Sequence, residues 1–250
     1  NMPQLIKILV TLMVFPKYLV MLPIYIYSYF VPNNNNIWIF GAWYGKQYSD
    51  NSKYLFEYIN QNHPQIQAIW VCKSDTVLTQ IRNKGYSCYL AYSFNGLKYI
   101  FQAGVFIYCQ SFSADIMKYI YSKGCLNVNL WHGTPTKKVR KAKPLNKKYL
   151  SRIIKKTYNA ILKIFPYHKE PPCYLISSSK VTSNLLSAAF SDVILDIWET
   201  GYPRLDNISN NLNVGQNGNN IIYMPTKRNH FQKELDLFKN LNTKELENKL

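Results

Sequence analysis

The chain has 250 residues, 47% of them hydrophobic and 17% charged, enough apolar material for a packed core and too little charge for a disordered chain. Thirty basic residues against 13 acidic ones leave a net charge of +17, which favours anionic partners: phosphorylated substrates, acidic lipid headgroups or nucleic acid. Five cysteines, Cys72, Cys88, Cys109, Cys125 and Cys173, lack Cys-x-x-Cys or zinc-site spacing and sit mostly in apolar runs, so they read as reduced thiols, and no metal or cofactor is expected.

Residues 1–32 form a first segment. Leu5 to Val31 is mostly apolar, but Lys7, Pro16, Lys17 and Pro23 interrupt it, and its longest uncharged run, Tyr18 to Val31, has 14 residues. A spanning helix needs about 20. Tyr25, Tyr27 and Tyr29 suit a headgroup boundary, so a membrane-associated segment is expected, with a true span or a core helix as alternatives.

From Ile37 onward, short apolar runs alternate with amphipathic ones. Ile37–Phe40, Ala68–Cys72, Cys88–Ala91, Val105–Cys109 and Leu126–Leu130 have strand length. Ser49 to Ser52 offer capping residues for a helix carrying Leu55, Phe56 and Ile59. Asp75–Asn83, closed by Gly85, and Ser93–Gln102 read as further helices. Strands alternating with helices predict an α/β fold with a mostly parallel sheet covered on both faces. After a long basic stretch, Tyr174–Ser177 reads as a strand, Lys180–Ala189 as a helix and Val193–Trp198 as a strand. Residues 33–206 are therefore expected to form one α/β domain. Residues 207–220, polar and Asn-rich, read as a linker. Residues 221–250, a fresh strand and a helix, read as the start of a second domain that is cut off.

Between Lys137 and Lys163 lie nine lysines, two arginines and no acid. Leu150, Ile153, Ile154, Tyr158, Ile161, Leu162 and Phe165 recur with helical period, and Lys148, Arg152, Lys155, Lys156 and Lys163 lie opposite or at the edges. A basic amphipathic helix over 148–165 points to docking on an anionic membrane surface; a core-packing helix with a solvated rim is the alternative. Nucleic acid is not expected, because the cluster has no recognition signature and its aromatics fall on the apolar face.

Just past the strand ending at Leu130 the sequence reads Trp131-His132-Gly133-Thr134-Pro135-Thr136-Lys137-Lys138. Ligands of open parallel sheets bind beyond the carboxyl ends of strands. Gly133 permits close approach, Thr134 can cap and Pro135 can open a helix, so its free N–H groups beside two lysines would suit an anion. His132 there is either a general base or part of a capped turn.

This run resembles the Trp-His-Gly-Thr-Pro-Leu-Lys-Lys signature of CDP-glycerol glycerophosphotransferases, which extend wall teichoic acid. Four other segments agree in order. They are Phe40-Gly41 with Gly45 and Tyr48-Ser49-Asp50-Asn51-Ser52-Lys53; Ile176-Ser177-Ser178-Ser179 leading to Phe190; Gly201-Tyr202-Pro203-Arg204; and Ile222-Tyr223-Met224-Pro225-Thr226-Lys227-Arg228. The departures are Thr136 for leucine, Lys227 for an aromatic and Asn229 for an acid.

The resemblance implies a GT-B fold of two Rossmann-like domains, an acceptor domain with the catalytic base and a donor-nucleotide domain, the second only begun here. It implies transfer of glycerol phosphate from CDP-glycerol to a lipid-linked glycerol-phosphate acceptor, releasing CMP, at the cytoplasmic membrane face. A ribitol-phosphate or priming enzyme, and a non-catalytic basic module, are the alternatives. His132 would be the base, with Gly133, Thr134, Asp50 and Asn51 on the acceptor side and Thr226 and Arg228 contacting donor phosphate. Arg204 is expected to be structural. The family's second catalytic histidine and most nucleotide contacts fall beyond Leu250, so these 250 residues alone are expected to be inactive.

Overall fold

The computed structural model of the chain describes residues 21–118, 120, 124–135 and 170–210, the last four by backbone alone. The chain divides into two compact units, Asn1–Ser209 and Asn210–Leu250. The first unit contains seven described strands: β1 (Asn34–Phe40), β2 (Gln67–Cys72), β3 (Cys88–Leu90), β4 (Ala103–Tyr108), β5 (Leu126–Asn129), β6 (Cys173–Ile176) and β7 (Ile194–Trp198). They form one sheet in the order β3-β2-β1-β4-β5-β6-β7, and every neighbouring pair is parallel.

Strands buried on both faces read as continuous apolar runs rather than alternating ones. β4 is such a strand, buried at all six positions, and five of the six positions of β2 are buried. Successive side chains then supply two cores. On one face Ile39, Ile69, Phe106 and Leu175 meet helices α4 (Phe94–Gln102), α5 (Phe112–Asp115) and α6 (Lys180–Phe190). On the other, Phe40, Trp70, Cys72 and Ile107 meet α2 (Asp50–Asn62) and α3 (Asp75–Arg82). Helix α1, residues 21–30, lends Ile24 to the first core and leaves Tyr27, Tyr29 and Phe30 exposed. Among the described residues no helix is long and apolar enough to cross a membrane.

Right-handed crossovers explain the two layers. The chain steps from β1 to β3 in one direction with α2 and α3 on one face. Helix α4 then crosses to β4, and the chain steps the other way with α5 and α6 on the opposite face. The reversal between β1 and β4 opens a crevice at the carboxyl ends of the strands, where such sheets bind ligands.

The expected doubly wound α/β sheet is therefore present, with three local differences. β1 begins at Asn34, because Asn34 pairs with Ala103 across the ladder. Helix α5 has only four residues, too short to show a period. Helix α7 (Pro203–Asn210) starts inside the expected Gly-Tyr-Pro-Arg turn and carries helical backbone into the first four positions of the expected linker; Pro203 opens it, as proline's fixed φ permits. The basic helix over 148–165, with Lys148, Arg152, Lys155, Lys156 and Lys163, lies outside the described residues. So do residues 221–250, with Thr226 and Arg228. The five cysteines are free thiols, four buried and Cys125 partly so.

The second core centres on Phe56, fully buried, whose ring meets Phe40, Tyr48, Trp70 and Tyr86 edge-on at 5.2, 6.2, 5.5 and 5.4 Å between centroids. Deleting it removes both transfer energy and aromatic contacts. Phe56→Ala is expected to lower stability by about 3–5 kcal/mol, measured by urea unfolding of this chain; a loss below about 1 kcal/mol would show that α2 is not anchored through this ring.

Candidate active site

Three loops meet at the crevice. After β1, Gly41 lets the chain pass against α5: a Cβ there would lie 2.6 Å from the Asp115 carbonyl oxygen. The next turn, Trp43–Gly45, has φ of 45° at Trp43, 61° at Tyr44 and 72° at Gly45. The buried Asp115 carboxylate holds it, accepting the N–H of Tyr44 at 2.8 Å and those of Cys109 and Gln110 at 3.0 and 2.7 Å. Burial raises the Asp115 pKa, and these N–H donors oppose the rise.

At the start of α2, Asp50 also has positive φ, 64°. Ser49 makes no side-chain cap. The Asp50 side chain turns into the site instead, where its carboxylate accepts Trp43 Nε1 at 3.0 Å and pairs with Arg204 Nη1 at 3.0 Å. That carboxylate is 4% exposed and the arginine 36%, so the pair straddles the edge of the protein. It lines an open cleft of about 390 Å³ with Trp43, Gln47, Ser49 and Tyr54.

The third loop follows β5. Trp131 has φ of 52°, and its N–H donates to Asn129 Oδ1 at 2.9 Å. Its indole packs edge-on against Phe190 at 4.9 Å and stacks on the His132 ring at 4.0 Å. The Trp43 ring lies 6.2 Å from His132. Burial lowers the His132 pKa from its usual 6.5; the Asp50 charge opposes this and the Arg204 charge reinforces it. The imidazole is thus held neutral near pH 7, ready to accept a proton. Gly133 has φ of 133°, and a Cβ there would meet Arg204 Nη2 at 2.9 Å, so only glycine leaves the guanidinium its place. Thr134 is exposed, and the helix expected after Pro135 lies outside the described residues.

Among the described residues, the non-glycine positions with positive φ are Trp43, Tyr44, Asp50 and Trp131. All four lie in the segments that meet at this crevice. Such backbone costs on the order of 1–3 kcal/mol per residue and persists only where its surroundings dictate it.

His132, Gly133 and Asp50, expected at the site, do come together there. Asn51 does not line the cleft. It is fully buried, donating through Nδ2 to the carbonyls of Trp131 at 3.0 Å and Leu130 at 3.3 Å and accepting the Arg204 N–H on Oδ1 at 3.3 Å. Its role is to tie the loops together. Arg204, expected to be structural, gives its N–H to Asn51 Oδ1 and pairs with Asp50, and its charge also bears on His132. Sequence reasoning also passed over Trp43 and Asp115. Trp43 lies inside the matched stretch from Gly41 to Gly45, whereas nothing in the local sequence singles out Asp115.

The sequence profile of the family described as CDP-glycerol:poly(glycerophosphate) glycerophosphotransferase matches residues 24–250. The chain belongs to that family. It is 28% identical over 228 residues to a teichoic acid glycerol-phosphate transferase of Staphylococcus aureus, covering 79% of this chain and 51% of the relative. It is 26% identical over 215 residues to a teichoic acid poly(glycerol phosphate) polymerase of Bacillus spizizenii, covering 80% and 52%. The chain thus spans about half the length of these two curated relatives. Among solved structures, the wall teichoic acid polymerase TagF shares the fold, with a TM-score of 0.53, 21% identity, and coverage of 72% of this chain and 42% of that one.

Among the described residues, the Asn51 carboxamide joins α2, the Trp131 loop and α7. Asn51→Ala strands the Trp131 carbonyl and the Arg204 N–H, so a loss of about 1–3 kcal/mol is expected in urea unfolding. An unchanged midpoint would show that the three loops hold without it.

Proposed function

We propose that this chain carries the acceptor side of an enzyme that moves glycerol phosphate from CDP-glycerol to a membrane-linked glycerol-phosphate acceptor, releasing CMP. The placement of the His132 imidazole at the strand-end crevice, stacked on Trp131 and beside the Asp50–Arg204 pair, is the observation that carries this assignment. His132 takes the proton of an acceptor hydroxyl. The freed oxygen attacks the donor phosphorus nearest the glycerol, and the bond to CMP breaks. Asp50 stabilises the imidazolium that forms, because its charge favours the protonated ring. The exposed edge of the Arg204 guanidinium suits a phosphate oxygen.

Thr226 and Arg228 are proposed to contact donor phosphate. The CDPG soaked into a histidine variant of TagF supports a CDP-glycerol donor. The basic run with Lys148, Arg152, Lys155, Lys156 and Lys163, together with the exposed Tyr27, Tyr29 and Phe30 of α1, is proposed to hold the protein peripherally at the anionic cytoplasmic face of the membrane.

The test is turnover. Assayed in the complete gene product with CDP-glycerol and a lipid-linked acceptor, His132→Ala is expected to lower kcat about 10²-fold or more with folding retained. Near-normal CMP release from a folded His132→Ala protein rules out the base.

A further inference from the structure

Two indoles border the proposed base. Trp131 stacks on the His132 ring at 4.0 Å, and the Trp43 ring lies 6.2 Å from it, tilted by 39°. Both tryptophans sit on left-handed backbone, with φ of 52° at Trp131 and 45° at Trp43. Bulky residues avoid that region unless their surroundings hold them there. Asn51 binds the Trp131 carbonyl. The Trp43 turn is anchored elsewhere.

Its anchor is the Asp115 carboxylate, buried beneath the crevice. Oδ1 accepts the Tyr44 N–H at 2.8 Å, and Oδ2 accepts those of Cys109 and Gln110 at 3.0 and 2.7 Å. The bonds continue to the second tryptophan. The Gln110 carbonyl accepts Asn129 Nδ2 at 3.4 Å, and Asn129 Oδ1 accepts the Trp131 N–H at 2.9 Å. Asp115 thus holds the Trp43 turn directly and Trp131 through Gln110 and Asn129.

None of these bonds serves the helix that carries Asp115. The Ser111 hydroxyl caps α5 by accepting the Ala114 N–H, and the three N–H groups on Asp115 belong to residues outside α5. Those donors and the charge of Lys73, whose Nζ donates to the Ala114 carbonyl, oppose the effect of burial on the carboxylate. Three donors spread over two oxygens call for a carboxylate, since an asparagine offers one acceptor oxygen. The charges that bear on the imidazole are those of Asp50 and Arg204, and burial is the largest influence on it. Asp115 reaches the imidazole by a different route, through the bonds that set how closely two indoles cover it.

We propose that Asp115 is a positioning residue for His132: through the Tyr44 N–H it sets the Trp43 indole beside the imidazole, and through Gln110 and Asn129 it sets the Trp131 indole against it. The catalytic meaning of this rests on the assignment of His132 as base; the positioning rests on the bonds alone.

The experiment follows two NMR signals of the 250-residue chain. One is the His132 imidazole, assigned by His132→Gln and titrated with pH. The other is the Trp43 indole N–H, which donates to Asp50 at 3.0 Å, assigned by Trp43→Phe. In Asp115→Asn the His132 midpoint is expected to rise toward 6.5 as its cover loosens, and the Trp43 signal is expected to move. The sign is decisive, because an aspartate acting by its charge alone would lower the midpoint when removed. Asn129→Ala cuts only the second branch, so it is expected to raise the midpoint and leave the Trp43 signal in place. Ile81→Ala, a buried truncation on α3, costs stability without touching these bonds and is expected to move neither signal. An unchanged or lower midpoint in folded Asp115→Asn overturns the proposal. So does an equal rise in Ile81→Ala, which would mark general loosening. If Asp115→Asn does not fold, Asn129→Ala decides alone, a rise supporting the proposal and any other result overturning it; loss of folding in both overturns it, since both residues would then hold the fold as a whole. Because the readout is titration and not turnover, its failure is separable from a failure of His132 as base.

Discussion

The Asn51 carboxamide bonds to residues 79, 80 and 153 positions further along the chain. Those bonds decide where the β5 loop and α7 sit relative to α2. Without them Trp131 has little reason to stay at a φ of 52°, since extended backbone costs a tryptophan less. With them, its carbonyl is bound by Asn51, its N–H by Asn129 and its ring by Phe190. His132 is the next residue, so its ring is aimed by a strained neighbour that is fixed on three sides. The same carboxamide receives the Arg204 N–H, which starts α7 where its guanidinium reaches Asp50.

Strain and charge are thus concentrated in one place. The left-handed turn at Trp43 and Tyr44 is stabilised from beneath by Asp115, and that turn points the Trp43 indole at Asp50. Asp50 receives the indole N–H, the Asn51 N–H and the guanidinium, so a nearly buried carboxylate is fully paired. A buried charge is tolerable only with such partners. The pair in turn acts on His132 with opposite signs. Burial dominates, the carboxylate limits the fall in basicity, and the imidazole stays weakly basic rather than inert. Placement of a base, an arginine and an open cleft at the point where strand order reverses is the arrangement that open α/β sheets use for ligands.

Much of this was legible in the sequence because the sheet is buried on both sides. Runs such as Ala68–Cys72 and Val105–Cys109 have no alternation to misread, and turn residues bound them, so strand positions and the α/β class follow. His132 was legible for a different reason: Trp-His-Gly-Thr-Pro is a local string with chemistry in it. Asn51 and Arg204 were not, because each acts through a partner more than 70 residues away, and no spacing rule reports a contact of that kind. Asn51 looked like a capping residue, which its type permits, yet its amide faces inward. Asp115 illustrates the limit further, since its value lies in three backbone N–H groups that any residue could have supplied.

Because these loops converge on one ring, the protonation of that ring reports on all of them. Titration of the His132 imidazole by NMR in the 250-residue chain is the most direct measurement. The expected midpoint lies below the usual 6.5, lower still in Asp50→Asn, where an opposing negative charge is gone, and higher in Arg204→Gln, where a positive one is gone. A midpoint at or above 6.5, or one indifferent to both substitutions, would contradict a base held neutral by burial and tuned by the Asp50–Arg204 pair.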